Sequence, residues 1–196
     1  VFALRSLRTR LRFTLWRLLA SAKLRRTGTR LAIEAGKGVR FGNRPRFEAT
    51  RIRAPAGSVD GSGGELVVRL GDRVDLGRDT VIEYVPGARS EIALGEGTYL
   101  TSQVRLCALG GTIAIGSYSR LRDWAIVKSS GWLGGGERTY VQEGAHIFCA
   151  SEIVLESHVT ISERAAVHDS DHDVSGDEVW HLARPVITSP VHIGYN

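Results

Sequence analysis

The chain has 196 residues, 42% of them hydrophobic and 24% charged, with 23 glycines and only five phenylalanines. That composition suits one globular domain with an aliphatic core cut by many tight turns, and it excludes a disordered chain. The formal net charge of +5 is uneven: the first 33 residues carry nine basic residues and no acid, leaving 17 basic against 21 acidic residues beyond Ile33, which argues against a nucleic-acid surface on the body of the protein.

Residues 1–30 read as a helix. In "FALRSLRTRLRFTLWRLLASAKLRR", Leu4, Leu7, Leu11, Leu15 and Leu18 follow steps of three and four, with Arg5, Arg8, Arg12 and Lys23 largely off that stripe. This is the pattern of a basic amphipathic helix. Its apolar run "LLASA" is too short for a signal peptide or a membrane span. The leucine stripe suits either of two partners: the protein's own body or a neighbouring subunit, or an anionic membrane surface on which apolar contact and basic charge act together. Cys107 and Cys149 form no CxxC pair, so the default setting is the reducing cytoplasm, with a peripheral place at the inner membrane face if the helix binds lipid.

Residues 31–196 read as a single repeat domain. "LGRDTV", "LGEGTY", "IGSYSR" and "LESHVT" each open on an aliphatic residue and carry a small or β-branched one at the fifth position. The six-residue step continues through Leu70, Leu76 and Ile82; Leu94, Leu100 and Leu106; Ile115, Leu121 and Val127; and Leu155, Ile161 and Val167. A second aliphatic marker stands two residues earlier in "VDLG", "IALG", "IAIG", "IVLE" and "VHIG". Short strands and tight turns at this step close a triangle every three hexads, and stacked triangles enclose an aliphatic column. Leu76 to Leu94 spans 18 residues, whereas later starts are farther apart, so the excess is expected to leave the repeat as loops. Glycine-rich "KSSGWLGGGERTY", Lys128 to Tyr140, lacks the ending of a phosphate loop and is expected to be one such surface excursion.

These hexads, from about Val39 to the end, resemble the left-handed parallel β-helix of the hexapeptide-repeat acyltransferases. The fold expected is therefore all-β, with its handedness implied by the resemblance alone, since ordinary parallel crossovers are right-handed. "VHDSDHDV" followed by "PVHIGYN" is similar to the sugar O-acetyltransferase branch, in which a D-x-[DN]-H signature leaves the helix and the chain re-enters through PVxIG. Asp169, Ser170, Asp171 and His172 match the signature, and Pro190 to Gly194 match the re-entry. Relatives often carry a second histidine where Ser170 stands.

The resemblance implies an acetyl-CoA-dependent O-acetyltransferase working as a homotrimer on a sugar hydroxyl of an envelope glycan, lipid-linked sugar or related acceptor, with no metal. A sugar hydroxyl is a poor nucleophile at neutral pH, and a neutral imidazole within reach can take its proton as it attacks a thioester. His172 is the candidate base. Asp169 or Asp171 is the carboxylate that would fix its tautomer, and the sequence leaves both open. Trp180 and Arg184 in the same loop are candidates for stacking on or hydrogen-bonding a sugar, although Trp180 serves equally to pin the loop.

Other readings remain. His168 follows inward Val167 and is expected to point outward; His146, His158 and His192 fall on non-core phases. His168 and His172, four apart with acids nearby, offer a metal site like that of the γ-class carbonic anhydrases, which use the same β-helix, but that spacing aligns two rings only on a helix, and the loop carboxylates, which could take a hard cation instead, lack EF-hand spacing. A non-catalytic scaffold tethered by the N-terminal helix is the alternative outside enzymology. The chain stops at Asn196 before the hexad opened by Ile193 is complete, and it holds no methionine. Further coils completing the acetyl-CoA site are therefore expected beyond it, so no donor-binding residues are named.

Overall fold

The computed structural model describes residues 2–42, 45–50, 64–172, 185–187 and 191–194. A helix, Phe2–Arg25, is followed by short parallel strands stacked as a β-helix with three faces. The first face runs from Thr29–Ala35 through Gly64–Leu70 to Glu152–Leu155 and ends on Val191–Ile193. The second is built from two-residue strands, Arg40–Phe41 to Thr160–Ile161, and the third runs from Arg46–Ala49 to Ala166–His168. In all three, hydrogen-bonded neighbours succeed one another in chain order.

The aliphatic hexad positions explain this stacking. On the second face Leu76, Leu100, Leu121, Val141 and Ile161 stand in register one above the next, and on the third Ile82, Leu106, Val127, Ile147 and Val167 do the same. All but half-buried Val167 lie in the core. Each such side chain removed from water contributes roughly 1.5–3 kcal/mol. The four triples read from the sequence each map onto first, second and third face in turn.

Two details of the repeat differ from expectation. Leu76 lies on the second face and Leu94 on the first, so their 18-residue separation is not one coil. A coil from Leu121 to Val141, or from Val141 to Ile161, takes 20 residues. The surplus does not leave as a loop in these coils. The first-face strand carries two inward residues, as in Ile113 and Ile115 or Ile153 and Leu155, and the marker two residues ahead of the hexad start is the trace of this longer side.

The glycine-rich stretch is likewise a complete part of the coil, not an excursion. Trp132–Gly135 pairs with Thr112–Ile115 below and Glu152–Leu155 above. Gly135 occupies an inward position of the first face, and the Ile115 side chain lies 3.4 Å from where its Cβ would stand. The neighbour's bulk fills the column in place of a missing aliphatic side chain, which hid this coil from an aliphatic pattern.

The turns leaving the first and second faces share one device. The residue before the inward corner side chain has a left-handed backbone at Arg73, Tyr118, Arg138 and His158 between first and second faces, and at Asp79, Gln103, Trp124 and Arg164 between second and third. Side chains disfavour this conformation. It is stabilised by stacking: Arg138 N–H donates to Ser117 O at 2.8 Å and His158 N–H to Glu137 O at 2.8 Å, each reaching the same turn of the preceding coil.

The helix closes the first end of the stack. Trp16 lies 4.7 Å from Phe41 and 4.9 Å from Phe47, ring centroid to centroid, and its Nε1–H donates to Pro45 O at 3.0 Å. Ala20 and Leu24, one and two turns on, are buried in the same cluster. Of the expected leucine stripe, Leu15 and Leu18 are exposed. Among the described side chains, packing on the body is thus carried out by Trp16, Ala20 and Leu24, and not by Leu15 or Leu18, because the arc that meets Phe41 and Phe47 is the tryptophan arc. Among the described residues no helix is long and apolar enough to cross a membrane.

Candidate active site at the coil exit

Departures from the 20-residue coil occur where the third face turns into the first. Tyr84 to Arg89 makes a wider corner there, and at Asp169 the chain leaves the coil, returning to the first face only at Val191. This exit holds the D-x-[DN]-H segment.

In the lower coils the amides flanking this corner donate to carbonyls of the coil above: Ser130 N–H to Cys149 O at 2.9 Å and Trp132 N–H to Ser151 O at 2.8 Å. The departure of the chain removes those acceptors for the next corner. Asp169 replaces them. Its Oδ1 accepts from Ala150 N–H at 2.7 Å, and its Oδ2 from Ser151 N–H at 2.7 Å and Glu152 N–H at 2.8 Å. The side chain is fully buried, and three amides converging on one carboxylate form an anion-holding corner. Cys149, whose Sγ lies 3.7 Å from Asp169 Oδ2, stands in register with Ser129 below, so the 20-residue spacing of these three polar positions was the available signal for this role.

Beyond Asp169 the chain does not enter an irregular loop at once. Ser170–His172 pairs antiparallel with Pro185–Ile187, placing Ser170 opposite Ile187, Asp171 opposite Val186 and His172 opposite Pro185. The two strands make a ribbon separate from the three faces, so His172 stands three residues from the anchored Asp169, on regular backbone. Trp180 and Arg184 lie outside the described residues.

The outer surface of the third face leads up to the exit. His168 is exposed with its ring edge-on to Phe148, centroids 6.0 Å apart, and His146 is exposed one coil below, in register with Ala166. His158 occupies a left-handed turn. His192, in the returning strand, places Nε2 2.9 Å from Glu156 Oε1, which ties the re-entry to the coil beneath it. Among the described residues no three histidine, cysteine, aspartate or glutamate side chains gather as a metal-holding group.

Neither thiol is activated. Burial, with the Glu83 carboxylate at 3.4 Å, pushes the Cys107 thiol up to about 12. Burial also raises Cys149, and the nearby Asp169 charge adds to it. A nucleophilic cysteine requires the opposite shift.

Compared with protein-family models, curated proteins and solved structures, the chain gives no match in any of the three.

Proposed function

We propose that the protein is an acetyl-CoA-dependent O-acetyltransferase that acetylates a sugar hydroxyl, with His172 as general base. The observation that carries this reading is the ribbon: a D-x-[DN]-H segment leaves a β-helix at its third corner on a base pinned by Asp169. Histidine on ordered backbone at such an exit suits proton transfer, which demands placement within hydrogen-bond reach of the acceptor hydroxyl. Because Asp169 is committed to three backbone amides, the reading makes it a positioning residue and gives the tautomer-fixing role to Asp171.

Transfer is direct. The imidazole takes the hydroxyl proton as the oxygen attacks the donor's thioester carbonyl, and the acetyl group passes to the sugar as the CoA thiolate leaves and takes up a proton. The raised thiols of Cys107 and Cys149 fit this route better than one through an acyl-cysteine. The enzyme acts in the cytoplasm as a homotrimer, an arrangement in which one flat face is used three times around a symmetry axis, and its acceptor is an envelope glycan precursor or a related sugar.

Calorimetric titration of acetyl-CoA into the full-length folded protein tests the reading. Saturable binding is expected, together with acetyl transfer to a sugar acceptor that falls by about 10²–10⁴ in kcat in His172→Ala while donor affinity is kept. A correctly folded protein that binds no acetyl-CoA overturns the assignment and favours a non-catalytic scaffold.

A further inference from the structure

Among its described side chains the N-terminal helix has two apolar arcs and buries one. Trp16, Ala20 and Leu24 recur at successive turns and meet the first coil. At about 100° per residue, Leu15, Leu18 and Leu19 fall on roughly the other side, and they are 58%, 59% and 64% exposed. Three large aliphatic side chains in one arc, this exposed, make a contiguous patch and not scattered surface residues.

The direction of that arc follows from the docking. Trp16 touches Phe41 and Phe47, which belong to two different faces of the first coil, so the helix lies across the end of the stack. Its free arc therefore looks along the solenoid axis, away from the coils. In sequence the same three-and-four spacing continues back through Leu11, Leu7 and Leu4.

Charge selects the occupant. The first 33 residues hold nine basic residues and no acid, and Arg17, Arg25 and Arg26 on the described part of this arm are exposed. A second copy docked arc to arc would bring two such arms together with no acid on either to offset the repulsion. An anionic lipid surface supplies both missing partners, headgroup charge for the arginines and an apolar boundary for the leucines.

We propose that this helix seats the protein on an anionic membrane surface, with the β-helix standing away from it. The proposal goes beyond acyl transfer and holds with or without it. It also fixes where the candidate active site stands: the exit at Asp169 is five rungs above the first coil on the third face, about 24 Å at ordinary strand spacing, so an acceptor reached there projects well above the headgroups.

The experiment is co-sedimentation of the full chain with vesicles of phosphatidylcholine alone or mixed with phosphatidylglycerol. Wild type is expected to pellet with the anionic vesicles only and to be released by added salt. The triple variant Leu15→Ser, Leu18→Ser, Leu19→Ser is expected to lose at least about a hundredfold in partitioning, with circular dichroism and Tm kept, because those side chains do not pack on the body. No pelleting of wild type at low ionic strength overturns the proposal, and so does undiminished pelleting of the triple variant. Sedimentation velocity without lipid supplies a third outcome: an assembly of wild type that the triple variant dissolves would show that a second copy covers the arc and would also overturn it.

Discussion

The Asp169 carboxylate accepts the Ser151 backbone N–H at 2.7 Å while also taking the amides on either side of it. Replacing it by alanine leaves three part-buried amide donors without that acceptor. Asp169→Ala is expected to cost about 3 kcal/mol or more, read as a lower urea midpoint. Asp169→Asn is expected to be nearly as costly, since its amide brings donors toward donors. An asparagine variant of wild-type stability but lost activity would instead show that Asp169 acts on the chemistry and not on the corner.

Among the described glycines, Gly77 makes the tightest approach to another coil. A Cβ there would run into the backbone carbonyls of Leu100 and Thr101, which cannot move without breaking the second-face ladder. Gly77→Ala is expected to destabilise by more than about 3 kcal/mol. Gly28→Ala serves as the control for backbone strain alone, because Gly28 has φ +71° but nothing within 4 Å of its Cβ position, and a loss of about 1 kcal/mol is expected. Comparable midpoints for the two variants would contradict the steric account.

The inward columns were legible because aliphatic periodicity records burial directly, and each of the four hexad triples maps onto three successive faces. The length of the coil was less legible. Both Leu76 and Leu94 open hexads, and nothing local to either tells the second face from the longer first. Gly135 escaped notice for a different reason, since its place in the column is filled from Ile115 below. At the exit, the signature residues were visible as a motif, but the role of Asp169 depends on three corner amides that its carboxylate gathers where the chain departs. A motif does not contain that hydrogen-bond balance; it appears only when successive corners are laid over one another. The helix shows the same limit, because leucine spacing identified an apolar arc while Trp16, Ala20 and Leu24 formed the docking one.

Trp16 joins the helix to the first coil through two aromatic contacts and one hydrogen bond. Trp16→Ala is expected to cost about 2–4 kcal/mol, below the full range for a buried tryptophan because the side chain is half-buried. Hydrogen exchange should show the loss concentrated in the helix and first coil, with protection of the Leu121 and Val141 coils kept. Uniform loss along the whole stack would mean that the cap and the coils unfold as one unit.

Two carboxylates on the outer faces give opposite pH signatures. Burial alone would raise Glu83, but hydrogen bonds from Arg105, Thr50 and Cys107 outweigh it and hold the carboxyl below its ordinary 4.5. A depressed folded value contributes stability above pH 4.5 that is lost as pH falls through the depressed value. Glu83→Gln should therefore cost about 1 kcal/mol at neutral pH and progressively less in acid. Asp75 is raised above 3.8 by burial, with Arg40 only partly opposing it. The folded state then disfavours the charged form, a penalty absent below pH 3.8 and fully present above the raised value. Asp75→Asn should accordingly raise Tm at neutral pH and leave it unchanged at pH 3. Thermal melts of both variants across pH 3 to 7 check the pair: the Glu83→Gln and Asp75→Asn curves should lie on opposite sides of wild type at neutral pH and converge toward it in acid, and a shared direction would refute the electrostatic assignment of at least one.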